Sequence, residues 1–163
     1  MKKFKRVKNI VLTALVISFP GFFNLSAQDY SAGIGIRGGL AQGITLKFFT
    51  GRTNNAIEGI LAVRWSGTFI TGLYEIHDDP FRLDGMQWFY GFGAHIGFWD
   101  GGDVPWEDEA KSITAIGVDG IIGLEYTFEE IPINVSLDWK PAVNLVGGGY
   151  WTDGFAISVR YVF

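Results

Sequence analysis

The sequence predicts an all-β fold: an eight-stranded antiparallel up-and-down transmembrane β-barrel, preceded by a cleaved signal peptide. Three observations carry this reading. Apolar residues alternate with small or polar ones along most of the chain, the periodicity of strands with two unlike faces. Aromatics make up 16% of residues and charged residues only 18%, against roughly 25% charged in soluble domains. The one long apolar run lies at the N-terminus, behind a basic stretch.

"MKKFKRVKN" carries Lys2, Lys3, Lys5, Arg6 and Lys8, "IVLTALVISFPGFF" supplies an apolar core, and "NLSAQ" a small-residue cleavage context. This is the layout of a secretory signal, cut after Ala27. The alternative is a membrane anchor. Against it, Pro20 and Gly21 interrupt the core, which is shorter than the ~20 residues a spanning helix needs. Residues 28–163 then form one domain, in which eight Lys and Arg stand against 17 Asp and Glu, a net charge of about −9. A chain this acidic lacks the basic face that nucleic-acid phosphates require. The absence of Cys excludes a disulfide framework and thiolate metal sites.

In the first strand Tyr30, Ala32, Ile34 and Ile36 share one face, and Ser31, Gly33, Gly35, Arg37 and Gly39 the other. "GIGIRG" matches G-x-G-x-x-G at Gly33, Gly35 and Gly38, but that fingerprint needs a helix after it. "GITLKFF" follows instead, with Ile44, Leu46 and Phe48 alternating against Thr45 and Lys47. Two of the three glycines thus sit where a narrow interior leaves no room for a side chain. In "IEGILAVRW", Ile57, Leu61, Val63 and Trp65 oppose Glu58, Ile60, Ala62 and Arg64. In "TFITGLYEIH", Ile70, Tyr74 and Ile76 oppose Thr71, Glu75 and His77, with Phe69 and Leu73 on the polar side. "QWFYGFGAHIGFW" sets Trp88, Tyr90, Phe92, Ala94, Ile96 and Phe98 against Gln87, Gly91, Gly93, His95 and Gly97. "AIGVDGIIGLEYTF" sets Ile116, Val118, Ile122, Leu124 and Tyr126 against Gly117, Asp119, Gly123 and Glu125. "INVSLDWK" sets Ile133, Val135, Leu137 and Trp139 against Asn134, Ser136, Asp138 and Lys140. "GFAISVRYVF" closes the series, with Phe155, Ile157, Val159, Tyr161 and Phe163 against Gly154, Ala156, Ser158, Arg160 and Val162. Turn signals separate the strands, the longest being "DDPFRLDG", "DGGDVPWEDEAKS" and "PAVNLVGGGYWTDG".

A soluble barrel turns its apolar face inward, and a membrane barrel turns it outward. The polar faces hold Arg37, Lys47, Arg64, Lys140 and Arg160 against Glu58, Glu75, Asp119, Glu125 and Asp138. A solvated surface of an acidic chain has no reason to balance five against five, unless by chance. A tight interior has one, since an unpaired buried charge costs several kcal/mol. Trp65 and Trp139 close the apolar faces of their strands at one end, and Tyr30, Trp88, Tyr90, Tyr126, Tyr161 and Phe163 cluster at the other. Two aromatic belts are what a bilayer selects, although aromatics are also good strand formers.

The chain resembles the small eight-stranded outer-membrane barrels of the OmpA/OmpX-like group, and in particular the small outer-membrane proteins of Bacteroidetes. The resemblance covers the whole mature chain. It is carried most specifically by "SVRYVF", and "LEYTFEEIPINVSLDWKPAVNL" resembles the penultimate hairpin of the Bacteroidetes proteins. The resemblance implies that Val159, Tyr161 and Phe163 form the signal read by the barrel-assembly machinery. It also implies a monomer in outer-membrane lipid, reached after Sec export. With both chain ends periplasmic, "DGGDVPWEDEAKS" and "PAVNLVGGGYWTDG" become the outer loops, and "DDPFRLDG" is long for a periplasmic turn.

For function, the sequence favours a barrel with no enzymatic role and no cofactor. Phe49, Phe69, Phe89 and Ile121 lie on the polar side, where they would help block the bore of an eight-stranded barrel. Its role would be structural or surface display. Alternatives are a narrow pore, a small-ligand barrel, a lipid A-modifying enzyme and a soluble lipocalin-like binding protein. No P-loop, nucleophile elbow or helix-borne metal motif is present. His77 and His95 lie on the inner face, where pairing with Glu75 or Asp119 would make a metal or proton site. Hydrogen-bonded filler is the competing reading.

Overall fold

Alternation at period two resolves into eight strands in the computed structural model, which describes residues 30–51, 54–64, 67–99, 113–147 and 150–163. The signal segment 1–27, Trp65 and the connection 100–112 lie outside the described residues. The strands are β1 (Ala32–Gly39), β2 (Gln42–Phe49), β3 (Asn55–Arg64), β4 (Gly67–Asp78), β5 (Met86–Trp99), β6 (Ile113–Thr127), β7 (Ile133–Val146) and β8 (Tyr150–Val162). Each pairs antiparallel with the next, and β8 pairs with β1 to close the barrel. Along that seam Gly35 faces Arg160 and Arg37 faces Ser158. Phe163 prolongs the seam: its N–H donates to the Ala32 carbonyl at 2.9 Å, and its carbonyl accepts from the N–H groups of Ser31 and Ala32 at 3.0 Å. A Cβ on Gly35 would collide with the Val159 carbonyl oxygen. The glycine of the opening fingerprint therefore serves the close approach of β1 to β8.

The large apolar side chains point outward from every strand. Ile36 on β1, Ile44 on β2, Ile57 on β3, Ile70 on β4, Phe92 on β5, Ile122 on β6, Leu137 on β7 and Phe155 on β8 are all exposed. The opposite parity is buried inside the barrel. It holds an apolar group that includes Ile60, Phe69, Leu73, Phe89 and Ile121, together with the charged residues described below.

Three features differ from the sequence reading. First, "PAVNLVGGGYWTDG", expected as an outer loop, is mostly a strand hairpin, because β7 runs on to Val146 and β8 begins at Tyr150. Pro141 lacks an N–H, and the β7–β8 register shifts between Trp139 and Pro141. There Gly154 on β8 takes φ +70°, the left-handed conformation in which a bulge accepts its extra residue. Second, Trp139 consequently lies mid-strand and does not close β7. Third, Tyr30 belongs to the interior and not to an outer belt. It precedes the first residue of β1, so strand parity does not bind it, and its hydroxyl donates to Glu125 Oε1 at 3.2 Å.

β5 to β8 have 13 to 15 residues each, whereas β1 and β2 have eight. At the end carrying the termini, the turn 79–85 is long but bonded to itself. Asp79 Oδ1 accepts from the Arg82 N–H at 2.6 Å, and the Asp79 N–H donates to Asp78 Oδ1 at 2.9 Å.

Candidate functional site: the charged interior

Every second residue of a barrel strand points inward, so the interior is assembled one side chain per strand at each height. Nine of the ten charges read from the sequence are buried there, with Arg160, Lys47, Glu58, Glu75 and Lys140 at 0% exposure. Arg64 is half-buried at the end of β3 away from the termini. The nine fall into three groups along the barrel.

The group nearest the termini is the largest. Lys47 Nζ donates to Glu125 Oε2 at 2.6 Å and lies 3.0 Å from Glu75 Oε2 and 3.2 Å from His77 Nε2. The Phe89 ring centroid is 4.4 Å from the same ammonium, within cation–π range. Arg160 Nη2 donates to Glu58 Oε1 at 2.6 Å, and Arg160 Nη1 donates to Ser136 Oγ at 2.8 Å and Asn134 Oδ1 at 3.2 Å. The Thr45 hydroxyl donates to Glu58 as well. Burial, and next the Glu125 carboxylate, push the Tyr30 phenol well above its ordinary range.

In the second group Arg37 holds Asp138 through two parallel bonds, Nη1 to Oδ2 at 2.6 Å and Nη2 to Oδ1 at 2.5 Å. This is the fork geometry that makes guanidinium–carboxylate pairs strong. In the third, Lys140 Nζ donates to Asp119 Oδ1 at 2.6 Å, His95 Nδ1 lies 2.7 Å from Asp119 Oδ2, and His95 Nε2 lies 2.9 Å from Asn144 Oδ1.

The two histidines, for which hydrogen-bonded filler competes with a metal or proton site, are therefore in different groups. Among the described residues, no three or more His, Asp or Glu side chains are placed to hold a metal ion. Beside His77 the Lys47 ammonium already supplies a positive charge between Glu75 and Glu125. Of the residues read as assembly signal, Val159, Tyr161 and Phe163 all point outward and are exposed.

Sequence reasoning left several interior partners unassigned. Thr45, Asn134, Ser136 and Asn144 share the parity of the charges, and that parity was the signal that identifies them. Trp99 also shares parity with His95 and is 1% exposed. Its ring fills the space above Gly67 and Gly97, where any Cβ would overlap it. At the end carrying the termini a cavity of about 290 Å³ is lined by Tyr30, Phe49, Asp79, Leu83, Asp84 and Met86, among others. Behind it the rings of Phe49, His77 and Phe89 follow one another, with centroids 4.8 and 5.3 Å apart.

Fold and interior together define a closed eight-stranded antiparallel β-barrel whose buried face is charge-paired and whose outer face is apolar. Comparison of the chain with protein-family models, with curated proteins and with solved structures finds no match to any of them.

Proposed function

We propose that the protein is an integral outer-membrane barrel with an interior closed by its own side chains, serving a structural or surface-display role in the envelope. The observation that carries this reading is the inversion of polarity. Charged residues are buried on the inner face, while Ile, Leu, Val and Phe stand exposed on all eight strands. Soluble monomers rarely expose contiguous apolar patches beyond a few hundred Å², and a band encircling a barrel is what lipid covers. The outward aromatics near the termini support a bilayer interface there: Trp88 with Tyr90, Tyr126 with Phe128, and Tyr161 with Phe163. The resemblance of "SVRYVF" to the end of outer-membrane barrels supports that membrane over another. Three ion-paired groups and the apolar cluster of Phe69, Phe89 and Ile121 support a closed bore.

The test is fractionation and heat modifiability. The mature protein is expected in outer membranes, soluble only with detergent, and migrating differently on gels before and after boiling. Folded protein recovered from the periplasm without detergent overturns the reading.

A further inference from the structure

The group nearest the termini does not balance. Two cations, Lys47 from β2 and Arg160 from β8, face three carboxyl groups: Glu58 from β3, Glu75 from β4 and Glu125 from β6. His77 adds a titratable ring from β4 and Tyr30 a phenol, while β5 and β7 bring the uncharged Phe89, Asn134 and Ser136. The other two groups lend no cation here, because Arg37 is engaged by Asp138 and Lys140 by Asp119. A buried carboxylate without a counter-charge takes up a proton sooner than stay ionised, and of two carboxyl groups sharing one site only one ionises easily.

Hydrogen bonding locates the odd member. Glu125 accepts from Lys47 and Tyr30, and Glu58 Oε1 accepts from Arg160 and Thr45. Glu58 Oε2 and both oxygens of Glu75 are buried with no hydrogen-bond partner, and the Lys47 ammonium, 3.0 Å from Glu75 Oε2, donates to Glu125 at 2.6 Å. Glu58 stands opposite Leu73 and Glu75 opposite Ala56, so the two glutamates are diagonal neighbours on the inner face of adjacent strands, within reach of long side chains. Two carboxylates have no donor between them, but one carboxylic acid does. His77 is the other candidate for the proton. Its Nε2 lies 3.2 Å from the Lys47 ammonium, where neutral imidazole accepts a hydrogen bond and imidazolium would set two cations together.

We propose that Glu75 is a proton-binding site: it is a carboxylic acid in the folded barrel, and its hydroxyl donates to Glu58. The added proton neutralises the excess charge and supplies the missing donor in one step. This inference concerns the barrel interior and does not depend on the solvent outside it, so it stands or falls separately from the membrane reading.

The experiment uses the full mature protein folded in detergent micelles at neutral pH. Infrared spectra are expected to show the carbonyl stretch of a protonated carboxyl group in wild type and to lose it in Glu75→Gln. Equilibrium unfolding is then followed against pH. Above the ordinary glutamate value of about 4.3 the unfolded chain has released this proton and the folded one has not, so stability falls as pH rises. The wild-type unfolding constant should grow about tenfold per pH unit relative to that of Glu75→Gln, until the folded protein also loses the proton. A wild-type spectrum without the band, or parallel pH profiles for the two proteins, overturns the proposal. So does a loss of stability when choline replaces sodium, which would make the missing partner an alkali cation. If Glu75→Gln does not fold, the wild-type band alone decides.

Discussion

Arg160 reaches Glu58 on β3 and Ser136 and Asn134 on β7, and does so with no exposure to solvent. Replacing it by alanine leaves the buried Glu58 without its ion-pair partner. Arg160→Ala should therefore cost about 3–5 kcal/mol, the range for removing one partner of a buried pair. Glu129→Ala, on the exposed β6–β7 turn, should stay within about 0.5 kcal/mol. Denaturant unfolding in lipid vesicles measures both, and equal effects would show that the pairing contributes nothing. Leu137 faces outward at 49% exposure, and its neighbour Ser136 faces inward at 1%. In a bilayer Leu137→Arg should cost about 2–4 kcal/mol, the penalty for a charge on the lipid face near the midplane. Tolerance of that arginine in the same measurement would place Leu137 against water. At this scale the sequence was readable for identity but not for partnership. Parity sorts Lys47 and Glu125 to the inside, but their contact spans 78 residues and depends on relative strand heights. Tyr30 was misread because it lies just outside a strand, where alternation loses its force.

Strand existence was legible throughout, and strand ends were not. Pro141 and the glycines after it resemble the close of β7, yet the chain absorbs the proline at a register shift and extends the hairpin. Gly154 lies at the same shift, and its positive φ becomes intelligible only once β8 is known to bulge there. The last strand separates two roles of Phe163. Its backbone bonds to Ser31 and Ala32 across the seam, so deleting the residue weakens closure whatever its ring does. Phe163→Ser keeps those bonds and removes the exposed ring. If the ring is read during assembly, the serine variant should reach the outer membrane in much reduced amounts while refolding normally from denaturant into micelles. Normal membrane levels would assign Phe163 to the seam alone.

For the molecule as a whole, the fold class was legible because one periodicity runs nearly unbroken from Ala32 to Phe163. The closure of β8 onto β1 was implied by the eight strands but rests on the register of that pair, which no local pattern encodes. A bore crossed by three ion-paired groups, with Phe69, Phe89 and Ile121 packed inside, should pass no steady ionic current. The reconstituted protein is expected to be silent in a planar bilayer. A reproducible open state would move the reading to a narrow pore.

The wall is not equally strong all the way round. Both chain ends leave from the same rim, at the short edge where eight-residue β1 meets β8. Tension drawing those ends apart would load this junction as a zipper is loaded at its slider, one rung at a time from Phe163 inward. Because β8 is also laddered to β7 from Ile133, the same pull would load that pair at the rim, and the rupture would bring the Arg160 guanidinium out with the strand that carries it.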